Sequence, residues 1–124
     1  MPLSKMTALV FGAVYAVTGL AGFAVTGFSG TGTLIVFDLS VAHNLVHFGI
    51  GVMGLAAFAL GPAASRTFAM VVGVVLGAVA VLGLVVANPL GILPIGGADV
   101  VLHAASALVL LYVGFAGTGQ ETAA

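Results

Sequence analysis

The chain has no cysteine, no tryptophan and very few charged residues. Its 124 residues include only two Lys or Arg and three Asp or Glu. The absence of cysteine excludes disulfides, thiolate metal sites, iron–sulfur clusters and cysteine nucleophiles. Lys5 and Arg66 are the only basic residues besides the histidines, so there is no basic surface for nucleic acid and no polybasic patch for anionic lipid. Nucleic-acid-binding proteins are therefore excluded.

Apolar residues dominate the sequence. They make up 62% of the chain, and the mean hydropathy is +1.38. This leaves too little polar surface to enclose a water-soluble core, so the expected environment is a lipid bilayer. A helix needs roughly 20 residues to cross about 30 Å of hydrocarbon. The length therefore suits about four crossings, and we expect residues 1–124 to form a single transmembrane domain.

Four apolar segments are long enough to span a membrane as helices, and Gly, Ser, Thr and Pro are concentrated between them. The predicted spans cover residues 6–26, 40–60, 68–88 and 98–116, with boundaries good to about two to four residues. The predicted connections are a Gly-, Ser- and Thr-rich segment from Gly27 to Leu39, a turn from Gly61 to Arg66, and a Pro-containing segment from Asn88 to Gly97. The first part of the first connection, Gly27 to Gly32, is expected to be flexible. The fold class expected is an all-α integral membrane protein.

The two halves of the chain resemble each other. A shift of 61 residues aligns small residues at intervals of four, pairing Ala8, Gly12 and Ala16 with Ala69, Gly73 and Gly77. A shift of 56 residues places His43 on Asp99 and His47 on His103. Small-residue stripes let helices approach closely in lipid. The sequence therefore predicts a four-helix bundle built from two tandem helix-hairpin repeats, which point the same way because each contains two crossings.

The few ionisable side chains inside the apolar segments form two pairs. His43 and His47 lie four residues apart in the second span, and Asp99 and His103 have the same spacing in the fourth. Residues at this spacing share a helix face. Ionisable groups within a membrane span are costly to bury and count as a functional-site hypothesis. The repeat predicts that the four side chains converge, with Asn44 at their flank.

The positions of the basic residues predict the topology. Lys5 precedes the first span, and Arg66 lies between the second and third, so both fall on one side of the membrane. The positive-inside rule assigns that side to the cytoplasm. Both termini are then expected to be cytoplasmic, and the histidine pairs are expected near the outer surface.

Short motifs carry a resemblance to a known family. They are Asn44-Leu-Val-His47 ahead of a Gly-rich apolar run, and Leu93-Pro94 ahead of Asp99 and the Leu102-His103 pair. With these motifs the chain resembles a bacterial family of small four-helix membrane proteins, domain of unknown function 4383. The resemblance extends through most of the chain. The resemblance implies a recurrent polar set at Asn44, His47, Asp99 and His103, with His43 less clearly included. It implies the bacterial inner membrane as location and does not imply an activity.

The polar set has two main interpretations. In the first, Asn44, Asp99 and the histidines hold helices together by hydrogen bonds worth about 0.6 kcal/mol each, with Ser40 or Asp99 as helix caps. In the second, the histidines bind a ligand. His47 and His103 would be axial ligands of a haem b, or His43, His47, Asp99 and His103 would hold a divalent metal ion.

Two further interpretations concern transport and assembly. The cluster would form a polar pathway or small-ligand pocket on the outer side, or the small-residue stripes would make the chain a homo-oligomer or an accessory subunit of a larger membrane complex. An enzyme is not expected, because the sequence offers no substrate-positioning groups around the cluster. The leading prediction is a non-enzymatic membrane protein whose cluster is structural or binds a small ligand.

Overall fold

The structure, a computed structural model, describes residues 1–116, and four long helices dominate it. The helices are α1 (Leu3–Thr26), α2 (Val41–Leu60), α3 (Pro62–Val85) and α4 (Ala98–Ala116). Each is long and apolar enough to cross a membrane. The predicted four-helix membrane fold is confirmed. The predicted domain extends to residue 124, and residues 117–124 lie outside the described part.

The helices pack as two hairpins. The most extensive contacts join α1 to α2 and α3 to α4. Contacts of α3 with both α1 and α2, and of α1 with α4, assemble the hairpins into one bundle. Helices α2 and α4 consequently lie at opposite corners of that bundle. The predicted tandem helix hairpins are confirmed.

The small-residue stripes lie inside the hairpins. A Cβ atom at Gly12 would lie 2.7 Å from the Leu55 backbone nitrogen, so α1 and α2 approach too closely for any larger residue. In the second hairpin, a Cβ at Gly73 would lie 3.0 Å from the Leu111 side chain. Close backbone approach is the usual role of such stripes in lipid. The stripes therefore join the helices of each hairpin and are not free surfaces for docking another chain.

The connection between α1 and α2 contains a β-hairpin that the sequence did not predict. Strands β1 (Thr31–Leu34) and β2 (Phe37–Ser40) pair in antiparallel register. The flexible connection predicted from Gly27 to Gly32 therefore gives way to a paired strand at Thr31. The two-residue turn consists of Ile35 and Val36, and Ile35 adopts a positive φ of 60°. Turns of this length usually show Asn-Gly or Asp-Gly, so the strongest sequence signal for a hairpin is missing.

The turn predicted from Gly61 to Arg66 was wrong. Only Gly61 separates α2 from α3, with a φ of 119° that favours glycine. Pro62 is the first residue of α3. Proline is well tolerated at a first helical position, where its missing N–H would be unpaired in any case. The proline therefore marks a helix start at this position and not a longer break.

The apolar core occupies the middle of the bundle and the end opposite the β-hairpin. Its members come from all four helices and include Ala8, Ile50, Ala57, Phe68, Leu76, Leu110 and Val113. Many other large apolar side chains, such as those of Val74, Leu84 and Val101, point outward and are exposed. Outward apolar side chains are the surface that a lipid-embedded bundle requires.

Candidate functional site

The polar cluster lies at the β-hairpin end of the bundle, where α2 and α4 begin. The Ser40 side chain caps α2 by accepting a hydrogen bond from the His43 backbone N–H at 3.1 Å. The Ser40 hydroxyl also donates to the Ile92 carbonyl oxygen, which ties the start of α2 to the α3–α4 connection. The predicted Ser40 cap is confirmed. Asp99 is the second residue of α4 and lies within that helix, so the alternative that it caps α4 was wrong.

The histidine cluster predicted from the repeat is confirmed. His43 Nε2 lies 3.3 Å from Asp99 Oδ2, which joins two residues that the repeat makes equivalent. The ring centres of the other equivalent pair, His47 and His103, lie 6.2 Å apart. The His43 ring completes a triangle with them, 4.1 Å from that of His47 and 6.2 Å from that of His103. The four side chains bridge the two opposite corners of the bundle.

These side chains are deeply buried, yet most of their polar atoms lack hydrogen bonds. Each of the four residues is at most 3% exposed. Within residues 1–116, both ring nitrogens of His43 and His47, both carboxylate oxygens of Asp99 and Nδ1 of His103 have no hydrogen-bond partner. His43 and Asp99 are close enough for an ion pair, but not in hydrogen-bond geometry. Buried polar atoms in proteins are normally paired, so this group needs another explanation.

The imidazoles bring three possible metal-ligand nitrogens near one another. One nitrogen each from His43, His47 and His103 lies within 4.8 Å of the other two. Nitrogen ligands about 2.0–2.1 Å from a tetrahedral zinc ion are separated by about 3.4 Å. The three imidazoles would therefore have to move closer together to hold such an ion. The Asp99 carboxylate, beside His43, lies where it would offset part of the positive charge of an ion.

Tyr15 and Ser106 extend the cluster, and the sequence did not assign either residue to it. The Tyr15 ring packs edge-on against His47, with ring centres 5.3 Å apart. Its hydroxyl donates to the Ser106 hydroxyl oxygen at 3.3 Å, and both residues are buried. A tyrosine within an apolar span was a weak signal, because its partner is 91 residues away. Their hydrogen bond joins α1 to α4 beside the His47 ring.

Asn44 lies at the flank of the cluster and faces α1. Its side-chain amide donates to the Thr26 hydroxyl oxygen at 2.9 Å. A Cβ atom at Gly22 would overlap the Asn44 side chain, so the glycine makes room for it. Asn44 therefore joins α1 to α2 and does not face the imidazoles.

Two cavities flank the cluster. The larger, about 430 Å³, lies between the β-hairpin and the α3–α4 connection, and we call it the outer vestibule. Its polar lining residues are Thr31, Thr33, Asp38, Ser40 and Asn88. The smaller, about 270 Å³, lies beneath the β-hairpin and is lined mainly by apolar side chains of α1, the hairpin and α4. We call it the apolar pocket, and it reaches His47 and Asp99.

Comparison with known proteins identifies a family. The family model described as Domain of unknown function (DUF4383) matches residues 5–116, which include every residue of the cluster and all of the four helices except the first two residues of α1. No curated protein and no solved structure matches the chain. The resemblance seen in the motifs around His47 and His103 is confirmed, and the chain belongs to the domain of unknown function 4383 family.

Proposed function

We propose that this protein is a non-enzymatic membrane protein that binds one divalent transition-metal ion through His43, His47 and His103. One observation carries the proposal: three buried imidazoles each direct a nitrogen to within 4.8 Å of the other two. Imidazole nitrogen is a common ligand for zinc, copper and iron. We take zinc as the reference ion because it imposes no geometry of its own.

A purely structural role fits the cluster less well. Side chains that hold helices together do so by pairing, whereas seven ring nitrogens and carboxylate oxygens of the cluster have no hydrogen-bond partner within residues 1–116. Leaving one buried polar group unpaired costs about 1–3 kcal/mol. A cation that accepts several of these lone pairs at once would offset that cost.

The same geometry favours a metal ion over haem. Haem ligation by His47 and His103 needs a porphyrin plane between the two rings. The His43 ring, 4.1 Å from His47 and 6.2 Å from His103, lies to one side of the line that joins the other two ring centres, where it occupies space that a porphyrin ring would cover. A single ion instead uses all three imidazoles.

Asp99 supports the metal site in this proposal by its charge and its position. Its carboxylate is 3.3 Å from His43 Nε2, where it either orients that imidazole or becomes a fourth ligand. A divalent ion is costly to bury unless it is paired with negative charge. Asp99 and Asp38 are the only carboxylate side chains in residues 1–116, and only Asp99 is buried.

The proposed topology places the cluster near the outer face of a bacterial inner membrane, with both termini in the cytoplasm. Lys5 contacts the Phe58 ring, 4.8 Å from its centre, which places the start of α1 beside the end of α2. Arg66 lies in the first turns of α3, close to that end of α2. Both basic residues are thus at the end opposite the cluster, and the positive-inside rule assigns that end to the cytoplasm. We propose that residues 1–124 form one transmembrane domain.

Metal content tests the proposal directly. Protein purified in detergent is incubated with zinc chloride, freed of unbound metal and analysed for zinc. We expect one zinc per chain in the wild type and none in the His47→Gln, His103→Gln double variant. Ser65→Ala is the matched control, because Ser65 is equally buried at the opposite end and donates to the Ala57 carbonyl oxygen at 3.1 Å.

Two outcomes would contradict the metal proposal. One is a wild-type protein that stays zinc-free at saturating zinc, and the other is a double variant that retains zinc. A visible spectrum of protein produced with haem available separates the haem alternative. We expect no Soret band, and a Soret band that is lost in His47→Gln would support haem instead.

A further inference from the structure

We infer that the metal site is loaded from one side of the membrane only, through the outer vestibule, in which Asp38 is an outer cation-binding residue. The inference rests on the proposed metal binding and adds to it a route, a direction and a second site. It makes the protein a one-sided metal-binding protein and not a pathway across the bilayer.

The outer vestibule has the size and polarity for a hydrated cation. A divalent ion with six waters needs roughly 180 Å³, at about 30 Å³ for each water. The vestibule volume of about 430 Å³ accommodates it. Polar residues line this space, namely Thr31, Thr33, Asp38, Ser40 and Asn88.

Asp38 provides the negative charge of the vestibule. It is exposed on β2, opposite Thr33 on β1, and the Thr33 hydroxyl donates to Asp38 Oδ1 at 3.0 Å. This hydrogen bond holds the carboxylate in place and leaves Oδ2 free of that contact. Carboxylate oxygens bind hydrated divalent ions without displacing their whole water shell.

The vestibule ends against residues that adjoin the cluster. Ser40 and Ala98 both line it. Ser40 Oγ accepts the hydrogen bond from the His43 backbone, and Ala98 immediately precedes Asp99. Part of the vestibule wall is therefore formed by the N-cap of α2 and the first residue of α4, the two helices that carry the proposed ligands.

The other approaches to the cluster are apolar. The apolar pocket is bordered by side chains such as Val14, Leu34 and Phe37, and an ion in such surroundings loses its hydration without replacement. Towards the opposite end of the bundle, the buried core with Leu76 and Leu110 separates the cluster from the other face of the membrane. A hydrated cation thus meets a polar lining as it enters the outer vestibule, whereas in the apolar pocket it crosses mainly apolar side chains before His47 and Asp99.

Loading rates test the role of Asp38. Metal-free protein in detergent is mixed with zinc chloride at low ionic strength, and bound zinc is measured against time. We expect Asp38→Asn to load about fivefold more slowly, the factor that Coulomb's law gives for a divalent ion about 8 Å from one carboxylate in water. The difference should vanish at about 1 M salt. Asp38→Glu, which keeps the charge, should load at close to the wild-type rate.

A wild-type loading rate in Asp38→Asn at low salt would overturn the role of Asp38. An equal slowing in Asp38→Glu would do the same, because charge would then not be the cause. A protein that binds no zinc at all in detergent would instead contradict the proposed function. The two failures are therefore distinguishable.

Sidedness tests the route. The sequence has no cysteine, so Ile35→Cys at the exposed hairpin tip gives one label site for a membrane-impermeant maleimide. In sealed vesicles the labelled fraction reports how many chains face outward. With zinc added outside only, we expect zinc per chain to equal that fraction, and to reach one after detergent is added. One zinc per chain in the sealed vesicles, whatever the labelled fraction, would overturn the one-sided route.

Discussion

The two ends of the bundle differ in how their buried polar side chains are paired. At the end opposite the β-hairpin, Ser4, Ser65 and Arg66 each donate to a backbone carbonyl oxygen of another segment. At the hairpin end, His43, His47 and Asp99 are as deeply buried as Ser65, but their polar side-chain atoms have no hydrogen-bond partner in residues 1–116. Burial alone therefore does not distinguish the two sets of polar residues, whereas hydrogen-bond pairing does.

The contrast follows from the chemistry of the two sets. A serine hydroxyl or an arginine N–H finds a partner in any nearby carbonyl oxygen of a helix end. Each neutral imidazole has one N–H, which a backbone oxygen can accept, and one nitrogen lone pair, which it cannot. Clustered imidazoles bring several such lone pairs together, and only a proton donor or a cation can pair with them.

The largest effect on zinc affinity is expected from removing a proposed ligand at the hairpin end, where buried polar atoms of the cluster lack hydrogen-bond partners in residues 1–116. We expect His47→Gln to weaken zinc binding by more than about 100-fold, since loss of a supporting group alone typically costs 10- to 100-fold. Zinc affinity is measured by competition with a chelator. The metal-free variant should unfold at a denaturant concentration close to that of the metal-free wild type. A large loss of stability without metal would instead show that the histidines hold the fold together, as Ser65 does.

Zinc itself should stabilise the hairpin end. At a free zinc concentration 100 times the Kd, a site present only in the folded state adds about 2.7 kcal/mol to the free energy of unfolding. Denaturation of the protein in detergent, with and without a chelator, measures this difference. It should be absent in His47→Gln. Equal stabilisation of the wild type and the variant would place the metal elsewhere.

Asp99→Asn is expected to have an intermediate effect. The amide keeps the shape of the side chain but removes the negative charge beside His43, so zinc affinity should fall about 10- to 100-fold. The measurement is the same chelator competition. Because His43 and Asp99 are in contact, the effects of His43→Gln and Asp99→Asn should not add in the double variant. Additive effects would contradict the proposed pairing.

The smallest effect is expected at the end opposite the β-hairpin, where the buried serines are hydrogen-bonded. Ser65→Ala removes one hydrogen bond to the Ala57 carbonyl oxygen, and such bonds in membranes contribute about 0.6 kcal/mol. We expect a loss of stability of that size in denaturant unfolding, with unchanged zinc affinity. A change in zinc affinity would show that the two ends are coupled. It would contradict the assignment of Ser65 to a purely structural role.

Some features of the structure could be predicted from the sequence and others could not. The 56-residue shift that aligns His43 with Asp99 was sufficient to predict the histidine cluster, because a repeated hairpin has to bring equivalent positions together. The β-hairpin around Ile35 was missed, since its turn lacks the usual residues. Pro62 was misinterpreted as part of a turn, because proline both ends helices and begins them. Tyr15 was not assigned to the cluster, because nothing local links it to Ser106.

The amino-acid sequence by itself determined the membrane environment, the four helices and their pairing into hairpins. Apolar composition, segment length and small-residue spacing act locally and hardly depend on the rest of the fold. Only the tertiary structure decided which buried polar atoms are paired and which are not. Pairing depends on distances of a few ångströms between side chains of different helices, and no periodicity in the sequence encodes them. The outer vestibule and its connection to His43 are decided in the same way.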